Sequence, residues 1–177
     1  MSSFYPVTTG GHESIILNIL YRSNIQNYLE LGVYKGDIIR EASMFIPTCV
    51  GVDITRHFTY DNKFSFYQMT TDAFFLQNKQ QFDAIFIDAD HKIESCITDL
   101  ENSLKILNYN GYIFIHDTDP ISLKYTDFGY CGDSYKINDY ISETHTELDM
   151  ITLPITESGI TIVKYKNQNR YNTYIVK

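Results

Sequence analysis

The sequence predicts an α/β fold with a doubly wound, mostly parallel sheet. Five short apolar runs that are typical of buried strands alternate along the chain with segments whose apolar residues recur at helical spacing. Such alternation indicates right-handed βαβ units, in which helices cover both faces of a parallel sheet. Two later runs separated by a turn predict a hairpin, which makes the far edge of the sheet antiparallel.

The predicted elements begin with a helix over Glu13–Ser23. Strands are then expected at Asn27–Val33, Cys49–Ile54, Phe64–Met69, Phe82–Asp88 and Tyr112–Asp117. The clearest helix runs from Lys92 to Leu107 and ends near an Asn-Tyr-Asn-Gly stop signal. Its apolar stripe consists of Ile93, Ile97, Leu100, Leu104 and Leu107. INDYISETH predicts another helix, and LDMITLPI and GITIVKY predict the hairpin strands.

Length and composition predict one domain over 1–177, with its core at about 27–164. A chain of 177 residues can bury one sizeable hydrophobic core. The formal net charge of -8 argues against a nucleic-acid partner, because acidic surfaces repel phosphates. No segment has the pattern of a signal peptide or membrane span, so we expect no membrane partner and a cytoplasmic location. Cys49, Cys96 and Cys131 are expected to be free thiols.

The ends of the first two strands carry residues expected to bind a ligand. In YLELGVYKGDII, Glu30, Gly32 and Gly36 lie at a strand-to-helix turn, where glycines let backbone N–H groups approach a ligand. The pattern differs from the G-x-G-x-x-G fingerprint of dinucleotide sites, and the carboxylate of Glu30 repels a pyrophosphate. Asp53 ends the second strand and is placed to accept hydrogen bonds from ribose hydroxyls. Together these residues predict an adenosyl ligand that carries positive charge.

Five motifs in this order and spacing resemble those of the class I S-adenosylmethionine-dependent methyltransferases: ELGVYKG, GVDI, TTDA, FIDADH and GYIFIHDT. The resemblance covers about 27–164. It implies a Rossmann-like, seven-stranded sheet with an antiparallel last strand, and S-adenosylmethionine as the cofactor. The cofactor-binding residues that it implies are Glu30, Gly32, Gly36, Asp53, Thr71, Asp72 and Asp88.

IDADH and HDT further resemble the metal-assisted O-methyltransferases of the caffeoyl-coenzyme A, catechol, macrocin and sugar-tailoring types. This implies that Asp88, His116 and Asp117 bind a divalent metal and that His91 is the catalytic base. A cation lowers the pKa of a bound hydroxyl, and a neighbouring imidazole accepts its proton near neutral pH. His116 stands where these relatives carry a carboxylate. The ion is therefore magnesium or a softer ion such as manganese, unless His116 turns away and leaves a weak site or none.

The residues at these strand ends also have structural alternatives. Asp88 or Asp117 alone is explained by capping of the segment that follows its strand. Asp90 is expected mainly to cap the helix from Lys92, and His91 is either the base or a solvated residue of its first turn.

Other polar residues have less specific settings. His12 and His145 are expected at the surface, although the TGGHES segment can also fold over the mouth of the site. The irregular segment 118–136 is a predicted substrate-side lid. Its Tyr130, Asp133 and Lys136 are either substrate-side residues or ordinary turn and helix-start residues.

The predicted function is S-adenosylmethionine-dependent O-methylation of a hydroxyl on a small molecule or sugar, assisted by a metal. One alternative is a non-catalytic protein that keeps a nucleotide-binding fold. The other is a nicotinamide-dependent oxidoreductase, against which Glu30 and the missing first glycine count. The acceptor pocket is either open or completed by the second subunit of a homodimer.

Overall fold

The computed structural model describes residues 11–59 and 62–166, and its elements follow the predicted α/β order. The strands are β1 (Asn27–Leu31), β2 (Thr48–Asp53), β3 (Ser65–Gln68), β4 (Phe82–Ile87), β5 (Leu107–His116), β6 (Leu148–Leu153) and β7 (Ile160–Tyr165). The helices are α1 (His12–Arg22), α2 (Asp37–Ala42), α3 (Thr71–Gln77), α4 (Ile93–Ile106) and α5 (Ile137–Thr144). The first two residues of TGGHES and the tail beyond 166 lie outside the described residues.

The seven strands form one sheet in the order β3-β2-β1-β4-β5-β7-β6. The first five strands pair in parallel, and β7 lies antiparallel between β5 and β6. The predicted fold class, with its antiparallel last strand and terminal hairpin, is therefore confirmed. The edge strand of the hairpin is β6, because β7 inserts beside β5.

Helices cover both faces of the sheet, as the continuous apolar strands require. On one face, Leu100 of α4 and Ile137 of α5 belong to a hydrophobic cluster with Leu29 of β1. On the other face, Ile16 of α1 and Ile39 of α2 pack in a second cluster. Because helices cover both faces, we expect a ligand to bind at the carboxyl ends of the strands.

The topological switch point lies between β1 and β4. In the sheet, β2 and β3 lie on one side of β1, and β4 with the remaining strands lies on the other side. The Gly32 N–H donates to Val52 O at 2.8 Å, and the Asp88 N–H donates to Leu31 O at 2.8 Å. These bonds hold the ends of β1, β2 and β4 together at the position where ligands bind in open α/β sheets.

Helix α4 ends just before the Asn-Tyr-Asn-Gly segment, as predicted, but this segment continues as a strand. The helix ends at Ile106 and the backbone becomes extended at Leu107, where ψ is 130°, so the Asn-Tyr-Asn-Gly segment lies within β5. Phe82 pairs with Leu107 but Ala84 pairs with Tyr112, and this register shift accommodates the extra residues as an irregularity in the strand. Leu107, the first residue of β5, is buried in the hydrophobic cluster on the α4 side of the sheet.

Two further predictions concern the cysteines and a membrane-spanning helix. All three cysteines are free, as predicted, and the structure shows that all three are buried. Within 11–59 and 62–166, no helix combines the length and the apolar character needed to cross a membrane.

Candidate active site

Asp53 anchors the turn after β1. Its Oδ2 accepts hydrogen bonds from the backbone N–H groups of Val33 and Tyr34, both at 2.9 Å, and its Oδ1 accepts one from Thr55 at 2.9 Å. A carboxylate offers about four acceptor positions, so one remains for a ligand hydroxyl. The predicted ribose-binding residue is therefore also a structural clamp on the glycine turn.

Gly32 is required by a close approach of backbone to backbone. Its φ is +86°, and a Cβ there would overlap the carbonyl oxygen of Asp88 and lie 2.8 Å from Ala89 Cα. The N–H groups of the two glycines themselves have backbone partners. Gly32 N–H is bound to Val52 O and Gly36 N–H to Val33 O, each at 2.8 Å. Gly32 nevertheless forms part of the cleft wall, where a side chain would leave no room.

Glu30 is buried beneath this turn instead of facing the cleft. Its side chain is 2% exposed, its Oε2 accepts a 2.7 Å hydrogen bond from Tyr28 Oη, and it lines neither of the cavities described below. Burial raises the pKa of Glu30 to about 8. The Tyr28 hydrogen bond opposes this effect, and the charge of Asp88 adds to it. Contact between Glu30 and a cofactor therefore remains a prediction from family resemblance.

The raised pKa of Glu30 predicts a pH-dependent contribution to stability. Between the usual carboxyl pKa of 4.5 and the folded pKa of about 8, the folded state binds the extra proton, so stability falls as the pH rises. We expect wild type to lose roughly 2–3 kcal/mol more unfolding free energy than Glu30→Gln between pH 5.5 and 7.5. Urea denaturation at the two pH values measures the difference, and parallel losses in the two proteins would contradict it.

Two adjoining cavities open at the carboxyl ends of the strands. The histidine-side cavity, of about 760 Å³, contains His57, His91 and His116 in its wall. The α3-side cavity, of about 610 Å³, lies against α3 and α4. They share four wall residues, namely Gly32, Asp53, Ile54 and Ala89. The predicted glycine turn and ribose-binding aspartate thus stand where the cavities meet.

The α3-side cavity contains the other predicted nucleoside residues. Thr71 and Asp72, at the start of α3, form its wall together with Met69 and Asp99. Thr70 caps α3, because its side chain accepts a 3.2 Å hydrogen bond from Ala73 N–H. Carboxylates are numerous in this wall, and within the described residues no lysine, arginine or histidine lines it.

Asp88, His116 and Asp117 converge in the histidine-side cavity. His116 Nδ1 lies 3.1 Å from Asp88 Oδ1 and 3.3 Å from Asp117 Oδ1. One ligand atom from each residue lies within 4.8 Å of the others, a spacing that can hold a metal ion. On the far side of the ring, His116 Nε2 is 3.0 Å from Ser158 Oγ. Asp117 has a left-handed backbone, with φ of 59°, which aspartate tolerates better than most residues.

His91 joins this group from the loop between β4 and α4. Its Nε2 lies 3.1 Å from Asp117 Oδ2 and 3.9 Å from Asp88 Oδ1. An Nε2–H that donates to Asp117 leaves Nδ1 as the proton acceptor of the ring. The structure thus brings together the predicted base and all three predicted metal ligands.

Electrostatics explain how His116 is accommodated between two acids. Burial would lower its pKa, but the attraction and hydrogen bonding of Asp88 and the charge of Asp117 outweigh burial and raise the pKa of His116. His12 packs on His116 with ring centroids 3.9 Å apart, and burial together with the His116 charge lowers the pKa of His12. The expectation that His12 is a surface residue is therefore wrong.

Segment 118–136, the predicted lid, is hydrogen-bonded to the loop that carries His91. Asp133 N–H donates to His91 O at 3.0 Å, and Asp133 Oδ1 accepts from the N–H of Ile93 at 2.8 Å. Asp133 therefore caps α4, and the expectation that Asp90 does so is wrong. Asp90 Oδ2 accepts instead from Ser95 Oγ at 2.8 Å. Lys136 lies 3.1 Å from Asp133 Oδ2, and a Tyr130 ring forms part of the histidine-side cavity.

His145 lies away from both cavities but is not a free surface residue. Its Nδ1 is 2.7 Å from Glu147 Oε1 and its Nε2 is 2.7 Å from Glu101 Oε1. Burial is outweighed by these two carboxylates, which raise the pKa of His145. The expectation of a solvated side chain is corrected accordingly.

Several wall residues were missed by the reasoning from sequence. Ser158 comes from the turn between β6 and β7, and nothing in its local pattern indicates a contact with His116. The sequence could have indicated that Asp99 is buried. It is three residues after Cys96 and four before Ser103, a spacing that places all three on the buried side of α4. Other missed residues are Tyr34, Thr55, His57, Tyr125, Cys131 and Glu157.

The sheet order, the antiparallel β7 and the cleft at the switch point define a class I methyltransferase fold of Rossmann-like type. A family model described as a methyltransferase domain matches residues 29–118, which is half of the chain. The chain therefore belongs to this methyltransferase family, as its motifs predict.

Solved structures with low sequence identity share the fold. An O-methyltransferase from Bacillus cereus in complex with S-adenosylhomocysteine is 14% identical, with a TM-score of 0.64 over 94% of this chain and 84% of that chain. The S-adenosylhomocysteine-bound methyltransferase PaMTH1 from Podospora anserina is 14% identical, with a TM-score of 0.65 over 88% and 78%.

TomG, an O-methyltransferase from Streptomyces achromogenes involved in tomaymycin synthesis and solved with S-adenosylmethionine, is 12% identical. Its TM-score is 0.63 over 88% of this chain and 80% of that chain. No curated protein matches the chain significantly in sequence.

Proposed function

We propose that the protein transfers a methyl group from S-adenosylmethionine to a hydroxyl of a small molecule or sugar. One observation carries the proposal: a cavity suited to a nucleoside meets, at Gly32 and Asp53, a second cavity that contains a base and a carboxylate–histidine cluster. The O-methyltransferases from B. cereus and S. achromogenes, which share the fold, were solved with S-adenosylhomocysteine and S-adenosylmethionine.

The chemistry of the wall fits this cofactor. Asp53 has one acceptor position left for a ribose hydroxyl after its three backbone hydrogen bonds. The carboxylates around both cavities suit a ligand with ammonium and sulfonium charges and no phosphate. When bound, S-adenosylmethionine supplies an electrophilic methyl group on a positively charged sulfur.

The residues of the histidine-side cavity have separate tasks in this reaction. His91 removes the proton of the acceptor hydroxyl at its Nδ1, while Asp117 Oδ2 holds the opposite ring nitrogen and stabilises the imidazolium that forms. Tyr34, Tyr125 and Tyr130 supply amphipathic walls for the acceptor. Segment 118–136 acts as the lid, because its Asp133 is bonded to the loop of His91.

A divalent metal fits the cluster formed by Asp88, His116 and Asp117. Two ligands at about 2.1 Å from an ion lie about 3 Å apart when they are neighbours in an octahedron. The observed spacings of 3.1 and 3.3 Å from His116 Nδ1 match this requirement. Ser158 at His116 Nε2 would fix the ring as an outer-shell partner. Bound there, an ion would lower the pKa of the acceptor hydroxyl, and the nitrogen ligand favours manganese over magnesium.

We expect the protein to bind one Mn²⁺ ion and Asp117→Asn to bind it at least about tenfold more weakly. The variant keeps the shape of the side chain but removes its charge, and metal affinity depends on charged oxygen ligands. Titration followed by the electron paramagnetic resonance of free Mn²⁺ measures the binding without any acceptor. Asp149→Asn, on the exposed side of β6, is the matched control. Equal Mn²⁺ affinity in all three proteins would contradict a metal site at this cluster.

The wall of the α3-side cavity argues against the alternative of a nicotinamide-dependent oxidoreductase. A pyrophosphate would face Asp53, Asp72 and Asp99 in a cavity where no described lysine, arginine or histidine offers compensation. A second subunit that completes the acceptor cavity, and a cytoplasmic location, are further parts of the proposal.

Thermal denaturation with two ligands tests the proposed cofactor. Excess S-adenosylhomocysteine is expected to raise the melting temperature, because a ligand that binds only the folded state stabilises it. NAD at the same concentration should leave the melting temperature unchanged. A shift with NAD and none with S-adenosylhomocysteine would overturn the proposed function.

A further inference from the structure

His91 and Asp117 meet in the histidine-side cavity from two different strand ends. His91 belongs to the loop between β4 and α4, and Asp117 directly follows β5. Their side chains are 3.1 Å apart, measured between His91 Nε2 and Asp117 Oδ2. A contact between two loops keeps its geometry only if further contacts restrain both backbones. Segment 131–138, which runs from the end of segment 118–136 into the start of α5, contacts both of them.

On one side, segment 131–138 lies against the backbone of His91. Asp133 N–H donates to His91 O at 3.0 Å. Gly132 has a left-handed backbone with φ of +55°, and a Cβ at this position would overlap His91 O. The absence of a side chain therefore lets the segment pass directly against the His91 peptide. The position of His91 thus depends on the path of the chain at 132–133.

On the other side, the segment is hydrogen-bonded to the backbone at 117–118. Ser134 Oγ lies 3.0 Å from Asp117 O and 2.7 Å from Cys131 O, and its hydroxyl donates to these carbonyl groups. Asn138 Nδ2 donates to Thr118 O at 2.9 Å. Ser134, Asp117 and Thr118 are all buried. Such bonds restrain the backbone, because breaking them leaves a buried carbonyl unsatisfied.

A buried threonine connects these contacts to the sheet. Thr161 Oγ1 of β7 lies 2.8 Å from both Thr118 Oγ1 and Asn138 Oδ1, and its hydroxyl can donate to either. Because β7 pairs with β5, the strand that ends just before Asp117, this hydroxyl fixes Asn138 relative to that strand end. The Asn138 side chain is therefore held in the orientation that its bond to Thr118 O requires.

The backbone of Asp117 needs this restraint. Its φ of 59° lies in the left-handed region, and such a conformation persists only where the surrounding contacts determine it. A change in this backbone would move the Asp117 carboxylate away from His91 Nε2 and from His116 Nδ1, which lies 3.3 Å from Asp117 Oδ1. The bonds made by Ser134 and Asn138 therefore act on both contacts of the carboxylate.

We propose that Ser134 and Asn138 are positioning residues of the active site. By fixing the backbone at 117–118, they hold the Asp117 carboxylate in contact with the proposed base and with the other metal ligands. The two residues act through Asp117, since neither lines the histidine-side or the α3-side cavity. This inference rests on the proposed function, because it takes His91 as the base and Asp117 as a metal ligand.

Ser134→Ala tests the inference through the affinity for Mn²⁺, measured from the electron paramagnetic resonance of the free ion. We expect about tenfold weaker binding than in wild type, because the loss of a contact that supports a metal ligand typically has an effect of this size. The affinity for S-adenosylhomocysteine, measured by calorimetry, should stay within about twofold of wild type, because the α3-side cavity is unchanged. A merely structural role would not separate the two affinities.

Ser43→Ala is the matched control. Ser43 Oγ also donates to a backbone carbonyl, that of Arg40 at 2.8 Å, but Ser43 lies at the end of α2 and lines neither cavity. Its replacement should leave the Mn²⁺ affinity at the wild-type value. The same loss of Mn²⁺ affinity in Ser43→Ala as in Ser134→Ala would overturn the inference.

A second variant, Asn138→Ala, applies the same test if Ser134→Ala does not fold. It removes the bond to Thr118 O and should also weaken Mn²⁺ binding while it leaves S-adenosylhomocysteine binding unchanged. In a crystal structure of either variant, the distance between His91 Nε2 and Asp117 Oδ2 should exceed the 3.1 Å of wild type. An unchanged distance together with an unchanged Mn²⁺ affinity would overturn the inference.

The outcomes separate the inference from the function on which it rests. If wild type binds neither S-adenosylhomocysteine nor Mn²⁺, the proposed function fails and this inference fails with it. If wild type binds both, and the two variants bind Mn²⁺ as tightly but melt at lower temperature, Ser134 and Asn138 are only structural. The inference alone then fails, and the proposed function stands.

Discussion

Replacing His91 with alanine is expected to lower kcat for methyl transfer by about 10²- to 10⁴-fold, which is the usual contribution of a positioned general base. His91 Nε2 is held by Asp117 Oδ2 at 3.1 Å, and the side chain faces the histidine-side cavity. Its removal should leave the α3-side cavity intact, so the affinity for S-adenosylhomocysteine should change little. Steady-state kinetics with the acceptor and calorimetry with S-adenosylhomocysteine measure the two effects separately.

His145→Ala is the matched control for this variant. His145 also lies between two carboxylates, but it is bonded to Glu101 and Glu147 away from both cavities. Its replacement should leave kcat close to the wild-type value. Unchanged turnover in His91→Ala would remove His91 as the base, and an equal loss in both variants would indicate a general effect on folding.

Replacing Asp53 with alanine is expected to weaken S-adenosylhomocysteine binding by about 100-fold or more. The variant loses a charge-assisted hydrogen bond to the ribose, which contributes roughly 1.5–3 kcal/mol. It also frees the N–H groups of Val33, Tyr34 and Thr55, which hold the turn at the junction of the cavities. Calorimetric titration measures the dissociation constant.

Asp149→Ala, which removes an exposed aspartate of β6, controls for the change in net charge. The Asp53 variant must also remain folded, which its circular dichroism and thermal transition report. If a folded Asp53→Ala protein binds S-adenosylhomocysteine with the affinity of wild type, this would contradict the proposed role of Asp53 at the junction of the two cavities.

The sheet and the strand-end cluster could be predicted from the sequence because their signals are local. Continuous apolar runs such as the one that ends at Ile87 identify strands covered on both faces, and polar residues directly after them must lie at the carboxyl edge. The meeting of Asp88, His116 and Asp117 follows from this rule, since β4 and β5 are parallel neighbours.

The other features of the site could not be predicted, because they depend on contacts between distant parts of the chain. Asp133 caps α4 from 40 residues away and Ser158 reaches His116 across 42 residues, so neither contact leaves a pattern in its own segment. Glu30 was expected in the cleft because it precedes the turn, but alternation along β1 directs its side chain toward Tyr28 beneath the turn. His12 was misjudged for the same reason, because its partner His116 lies on another element.

A crystal structure with bound S-adenosylhomocysteine tests the central claim most directly. We predict the adenosyl group in the α3-side cavity with its ribose at Asp53, and the sulfur at the junction beside Gly32, on the side of His91 and the carboxylate–histidine cluster. An adenosyl group bound outside both cavities, or a sulfur directed away from His91, would contradict methyl transfer at this site.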